Sequence, residues 1–322
     1  MKRCLALGVV IAAVALLPLL LDPRGYWIRV LTFTLLFAAM AQAWNIVGGL
    51  ANQTSLGHAA FFGIGAYTST VLLLKFGISP WLGMLAGGAL GGLAALVIAI
   101  PTMRLQGHYF ALATLAFGEV MRVIANVWTS LTGGPGGLSV PFVPPSLAGY
   151  SFKLLRPHAY IALAALVAVT AVFEIIRRGA MGYRLRAIKQ NPAAAEVIGV
   201  DTTRVKLQAA VISGALIAML GTLYAHAVFF DPDTVFGIAS ISIRIALIAI
   251  IGGVGTAAGP ILGAFFIIPL EEVMNDLLSS RAAGLSQLVF GVILIAVILW
   301  RPRGFITVFE ALRSRWSRTV TP

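Results

Sequence analysis

Five polar side chains sit inside stretches of this chain that are otherwise strongly apolar: Asn45, His58, Glu119, Arg122 and Arg244. An ionisable group in such surroundings is costly, so it is paired or it borders a hydrated path. Glu119 and Arg122 lie three residues apart and share one helical face. Two readings stand for them: a mutual ion pair, or groups that meet a passing solute. Arg244 has no acid near it in sequence, and either a substrate carboxylate or an acid on another helix would answer its charge. Asn45 and His58 offer hydrogen bonds to a cavity or to packed neighbours. No catalytic constellation accompanies them. The chain has no G-x-x-x-x-G-K-[ST] to cradle phosphates, no H-E-x-x-H to hold zinc and no G-x-S-x-G nucleophile turn. Its one cysteine, Cys4, rules out an internal disulfide and a Cys-rich metal site, and no metal or bound cofactor is expected.

The elements that position these groups follow from composition. Of 322 residues, 59% are hydrophobic and only 11% charged. Soluble domains carry about 25% charged residues, so lipid is the main solvent expected for this chain. The net charge of +12 does not indicate nucleic acid, because the basic residues fall between apolar runs and not on one hydrated face. A membrane-crossing helix needs about 20 mostly apolar residues. Runs that meet or approach this are 4–21, 30–48, 56–74, 81–100, 109–130, 158–176, 207–228 and 285–300. The run 237–270 is too long for one span, since at about 1.5 Å per residue it would reach about 51 Å. Its centre reads Gly252-Gly253-Val254-Gly255, then Gly259-Pro260, which predicts a break into 237–251 and 256–270. The expected fold is therefore a single all-α transmembrane domain of about ten helices, some short or broken.

Charge placement gives the orientation. Lys and Arg collect in cytoplasmic loops, and the strongly basic stretches are 177–206 and 301–322. An even number of spans must separate them, and the split of 237–270 supplies it. Both termini are then expected in the cytoplasm. Lys2-Arg3 ahead of an apolar run resembles a signal peptide, but the 4–21 run is longer than an h-region and ends in Leu-Asp-Pro, so a retained anchor is expected.

Two further patterns stand out. In the basic stretch 177–206, Asn191 to Gly199 reads as a very short helix: Asn191 caps it, Pro192 suits its first position and Gly199 its left-handed stop. Such a helix between two spans is either an ordinary structured loop or a docking element for a partner. Glycines form the other pattern, with Gly57, Gly63 and Gly65 opening the third span and Gly252, Gly253, Gly255 and Gly259-Pro260 late in the chain. Small residues allow close helix packing, and broken helices also line substrate paths.

A series of short stretches runs in a fixed order: Trp44-Asn45-Ile46-Val47-Gly48-Gly49, Ser55 to Tyr67, Tyr109 to Phe117, Leu131-Thr132-Gly133-Gly134 and Gly136-Gly137-Leu138. Later come Arg186-Ala187-Ile188, Ala194-Ala195-Glu196, Gly199, Gly252 to Thr256, Gly259-Pro260 and Arg301-Pro302-Arg303-Gly304. In these stretches the chain resembles the LivM-type permeases of ATP-binding-cassette importers for branched-chain amino acids. The resemblance implies a permease of the bacterial inner membrane with no nucleotide site of its own. It would pair with a LivH-like second permease, two cytoplasmic ABC ATPases that use the ATP, and a periplasmic solute-binding protein. It also implies an ATPase-coupling helix at 187–199, carried by Ala187, Ile188, Asn191, Pro192, Ala194, Ala195, Glu196 and Gly199. The Gly- and Pro-rich loop 131–157 is a candidate landing surface for the binding protein. Relatives of this kind also move urea, short amides or aromatic acids. A secondary carrier or channel is disfavoured, since proton-driven carriers usually hold more acids and histidines within their spans. Two positions depart from the pattern: Asn52 stands where relatives usually have Gly, and Arg244 where a polar or acidic residue is expected.

Overall fold

The computed structural model describes residues 16–103, 105, 107–140, 150, 152, 154–278, 284–300 and 305. Most of the span expected at 4–21, with Cys4, lies outside these residues, as do Arg104, residues 141–149 and nearly all of the tail 301–322. The described helices are α1 (Tyr26–Asn45), α2 (His58–Phe76), α3 (Pro80–Thr102), α4 (His108–Val127), α5 (Leu155–Arg178), α6 (Ala180–Gln190), α7 (Pro192–Val197), α8 (Thr202–Ala225), α9 (Arg244–Gly252), α10 (Gly259–Leu278) and α11 (Leu285–Trp300). Two segments wind more loosely as π-helix, Ile46–Leu50 after α1 and Ile238–Ile243 before α9. Single-turn helices form at Thr129–Thr132 and Pro232–Val235.

Seven helical stretches are long and apolar enough to cross a membrane: Tyr26–Leu50, His58–Phe76, Pro80–Thr102, His108–Val127, Leu155–Arg178, Thr202–Ala225 and Pro232–Gly252. The chain is an all-α, multi-pass membrane protein. Each corresponds to an expected span, and the boundaries shift for local reasons. Helix α8 starts at 202, not 207, because the Asp201 carboxylate caps it by accepting the Arg204 amide at 3.0 Å. The long apolar run does break, at Gly253–Ala258, but α10 then continues to Leu278, eight residues past its expected end, and takes Glu271, Glu272 and Asp276 into the helix. Those acids keep α10 out of the purely apolar class, and α11 at 16 residues is short of a full crossing.

Helix α1 is the centre of the bundle. From Leu35 to Ala51 every residue is buried, and the helix is surrounded by α5, α8, α9 and α10. The second tight assembly is α8 against α2 and α3. It is built on small residues: a Cβ on Gly65 would overlap the Ala218 carbonyl, and one on Gly221 the Phe62 carbonyl. Gly83, Gly87 and Gly91 put a smooth stripe of α3 toward α2 and α8 in the same way. Without water to squeeze out, membrane helices gain cohesion from such close backbone approach. Gly57 and Gly63 are also packing glycines, one against the Thr114 carbonyl and one under the Phe236 ring.

The departure at Asn52 has a backbone cause. It adopts φ +55° in the turn after the first π segment, the left-handed region that glycine enters freely and asparagine tolerates better than most residues.

Replacing Gly65 by Val forces α2 off the α8 backbone. Overpacking of this kind costs about 1–3 kcal/mol, so the yield of monodisperse protein from membranes and its melting temperature should both fall. Gly136→Val, where nothing lies near an added Cβ, should change neither.

Candidate solute path and coupling segment

Three groups of residues carry the candidate functional positions. The first is where the two helix breaks meet. After α1, the π segment Ile46–Leu50 and residues 51–57 reverse the chain into α2; after α9, Gly253–Ala258 reverses it into α10. Asn45, fully buried at the end of α1, joins them. Its Oδ1 accepts the Gly255 amide at 2.8 Å, and its Nδ2 donates to the Thr256 carbonyl at 2.9 Å. Gly253 and Gly255 take φ +129° and +80°, which makes that turn possible. Thr256 then caps α10, its Oγ1 accepting the Gly259 amide at 3.0 Å, and Pro260 follows within the first turn, where it gives up no helical hydrogen bond. A Cβ on Gly49 would strike the Gly255 amide, a Cβ on Gly252 the Gly259 carbonyl and a Cβ on Gly259 the Gly253 carbonyl. These glycines therefore hold the two turns in contact.

His58 belongs to the same interior. Its Nε2 lies 2.9 Å from Ser213 Oγ, which donates to the Ala43 carbonyl at 2.8 Å. The adjacent void is only about 10 Å³, the limit for one water. Neither Asn45 nor His58 borders an open passage in this conformation; both tie elements together.

The second group is charged. Arg122 clasps Glu119 on α4 through two nitrogens, with Nε at 3.0 and 3.1 Å from the two carboxylate oxygens, and also grips Asp233. Asn126 donates to the same Asp233 oxygen at 3.1 Å. The expected pair is thus a triad, and Asp233 is the member sequence reasoning missed. Its side chain is 61% exposed and that of Glu119 43%, although Glu119 lies about 12 Å along α4 from the nearer helix end. Charges bared at that depth do not face hydrocarbon. Arg244 finds its acid on another helix, Glu271 of α10, and its guanidinium also lies 4.5 Å from the centre of the Phe37 ring. Glu271 was invisible because the apolar run ends one residue before it.

The third group is the segment between α5 and α8. Ala187 and Ile188 end α6; Asn191 opens α7, its Oδ1 accepting the Ala194 amide at 3.2 Å, with Pro192 in the first position. Gly199 stops it at φ +84°. So 187–199 is the junction of two helices rather than one. Ile188 and Ala195 are buried against Leu185, Phe173, Val205 and the π-segment residues Ile46, Val47 and Leu50. Glu196 accepts the Thr202 hydroxyl at 2.6 Å, locking α7 to α8. Lys189 reaches further and donates to the Gly49 carbonyl at 3.0 Å, in the first helix break. At the outer tip Val197 and Ile198 are 87% and 75% exposed: two large apolar side chains with no cover, flanked by a basic segment.

The family described as "Branched-chain amino acid transport system / permease component" matches residues 26–298. The chain belongs to that family. It is 29% identical over 303 residues to the high-affinity branched-chain amino acid transport system permease protein LivM of Salmonella typhimurium, covering 87% of this chain and 69% of that one. It is 26% identical over 267 residues to a probable branched-chain amino acid transport permease protein LivH of Methanocaldococcus jannaschii, covering 79% and 82%. It is also 29% identical over 225 residues to the autoinducer 2 import system permease protein LsrC of Klebsiella pneumoniae, covering 68% and 60%. No solved structure matches. With its apolar helices, the family places this permease in the inner membrane as a multi-pass protein.

Asn45→Ala would strand the Gly255 amide and the Thr256 carbonyl without partners. At about 1–3 kcal/mol for each unsatisfied buried group, detergent-solubilised protein should melt well below the parent, and Asn45→Asp should fall at least as far, because it buries a carboxylate against the Thr256 carbonyl.

Proposed function

We propose that this permease is one membrane subunit of an ATP-driven importer for branched-chain or related amino acids. The observation that carries the reading is the family match over residues 26–298. On this reading ten helices cross the bilayer with both termini in the cytoplasm: the seven long apolar stretches, α10, α11 and the anchor expected at 4–21. A LivH-like permease completes the membrane unit, two cytoplasmic ABC ATPases drive it, and a periplasmic binding protein delivers the solute to the outer face. ATP is bound and hydrolysed by those partners. LsrC carries import of autoinducer 2 in its name, but the LivM relative aligns over more of this chain, which favours branched-chain amino acids over urea, short amides or aromatic acids.

Coupling runs through α6 and α7. Val197 and Ile198 supply an apolar knob suited to a groove on an ATPase, and the buried face of the same segment rests on the first helix break. When the ATPases close, the knob moves, α6 moves with it, and Lys189 carries the displacement to Gly49. Asn45 shares it with the second break at Gly255. Both broken helices then shift together, which is what alternating access requires.

In proteoliposomes holding the assembled transporter, Val197→Asp with Ile198→Asp should lower uptake at least tenfold and release the ATPases during purification, while the permease pair stays intact. Lys189→Met should keep the ATPases bound and their hydrolysis active yet lower solute moved per ATP several-fold, with Lys189→Arg restoring most of it. Unchanged uptake in the first variant, or unchanged stoichiometry in the second, would remove the coupling route.

A further inference from the structure

A cavity of about 200 Å³ lies where the π segment Ile238–Ile243, α9, α10 and α11 converge. That is more than ten times the roughly 10–15 Å³ a single water needs, and far larger than the void beside His58. Its polar wall is Arg244 and Glu271, paired across α9 and α10 with side chains only 23% and 26% exposed. The rest of the lining is largely apolar: Leu247 and Ile267, one turn from Arg244 and Glu271 on the same helices, and Phe290 and Leu294 of α11. Ala239 and Ile243 are exposed and form a mouth, whereas Ile267 and Leu294 are buried at the back.

The polar wall has unused capacity. A guanidinium has five N–H donors and an ionised carboxylate about four acceptor sites, yet the contact between these two groups uses one nitrogen and one oxygen. The Arg244 Nε is buried with no hydrogen-bond partner among the described residues. The Phe37 ring covers one face of the guanidinium. Arg244 and Glu271 thus present adjacent donor and acceptor positions with no net charge, in surroundings where an extra net charge would be costly. The solute best matched to this lining is neutral overall and carries its own carboxylate and ammonium close together, with an aliphatic remainder for the apolar side chains. The preceding π segment fits this view, since such interruptions of helices are rare and often mark functional sites.

We propose that this cavity binds a zwitterionic α-amino acid with an aliphatic side chain, the carboxylate on Arg244, the ammonium on Glu271 and the side chain against Leu247, Ile267, Phe290 and Leu294. The proposal rests on the importer reading and adds to it the place where the solute is held. An ion pair that merely clamps α9 to α10 would show none of this selectivity.

The test uses the assembled transporter in nanodiscs, with Cys4→Ser and a reporter thiol from Ala239→Cys at the mouth. L-leucine should slow maleimide labelling at least fivefold. Neither 4-methyl-2-oxopentanoate, which lacks the ammonium, nor 3-methylbutylamine, which lacks the carboxylate, should do so. Equal protection by all three, or by none, overturns the site. As a second measurement, Leu247→Trp narrows the apolar part of the cavity, and leucine uptake should fall about tenfold more than alanine uptake. Equal loss of both in an intact assembly also counts against the site. If the unmodified assembly takes up no amino acid, the importer reading fails; if it takes up leucine without protecting the thiol, only the cavity assignment fails.

Discussion

A helix that ends in a protein's interior leaves backbone amides and carbonyls with no water to satisfy them, and this chain ends two helices in buried surroundings. The protein must provide those partners itself. It does so largely through one side chain: Asn45 accepts from one residue of the second break and donates to the next, from a position immediately ahead of the first break. One primary amide, with its donor and acceptor side by side, matches a turn that offers an amide and a carbonyl. An ionised carboxylate only accepts, and a hydroxyl carries its donor and acceptors on a single atom, so neither presents the two side by side as the amide does.

Everything around that junction is arranged to let it exist. Helix α1 is buried on nearly all sides because it must deliver Asn45 to the interior. The glycines of both turns remove Cβ atoms that would hold the loops apart. The α2–α3–α8 assembly closes over the first break through glycine-to-backbone contacts, with Ser213 and Ser242 reaching across to His58 and the Ala59 amide. The polar residues of this interior therefore do structural work, while the charges sit at its margins. The Arg122 triad faces outward from α4, and the Arg244 pair borders a cavity between later helices.

Seven of the spans were legible because each is a long apolar run, and the break at 252–258 was legible because glycines and a proline cluster where the run exceeds one crossing. The short capped helix at Asn191 was legible too, since capping chemistry is local. What escaped were partners distant in sequence. Arg244 announced an unmet charge, but Glu271 lay just past an apolar run that seemed to end at 270, and only the packing of α9 on α10 joins them. Asp233, just ahead of the span expected at 237–251, offered no local clue to its partner, and only the fold brings it against Arg122. The roles of Asn45 and His58 were open for the same reason: their neighbours come from residues 210 and 155 positions away.

The Lys189 tether ends on a main-chain oxygen. A bond of that kind is indifferent to which side chain occupies the receiving position; it senses only where the backbone lies. Drift in the residues around it would leave no paired substitution behind, so comparing sequences would not betray the link. A tether of this sort can persist through long divergence of sequence, because its receiving end needs no particular side chain.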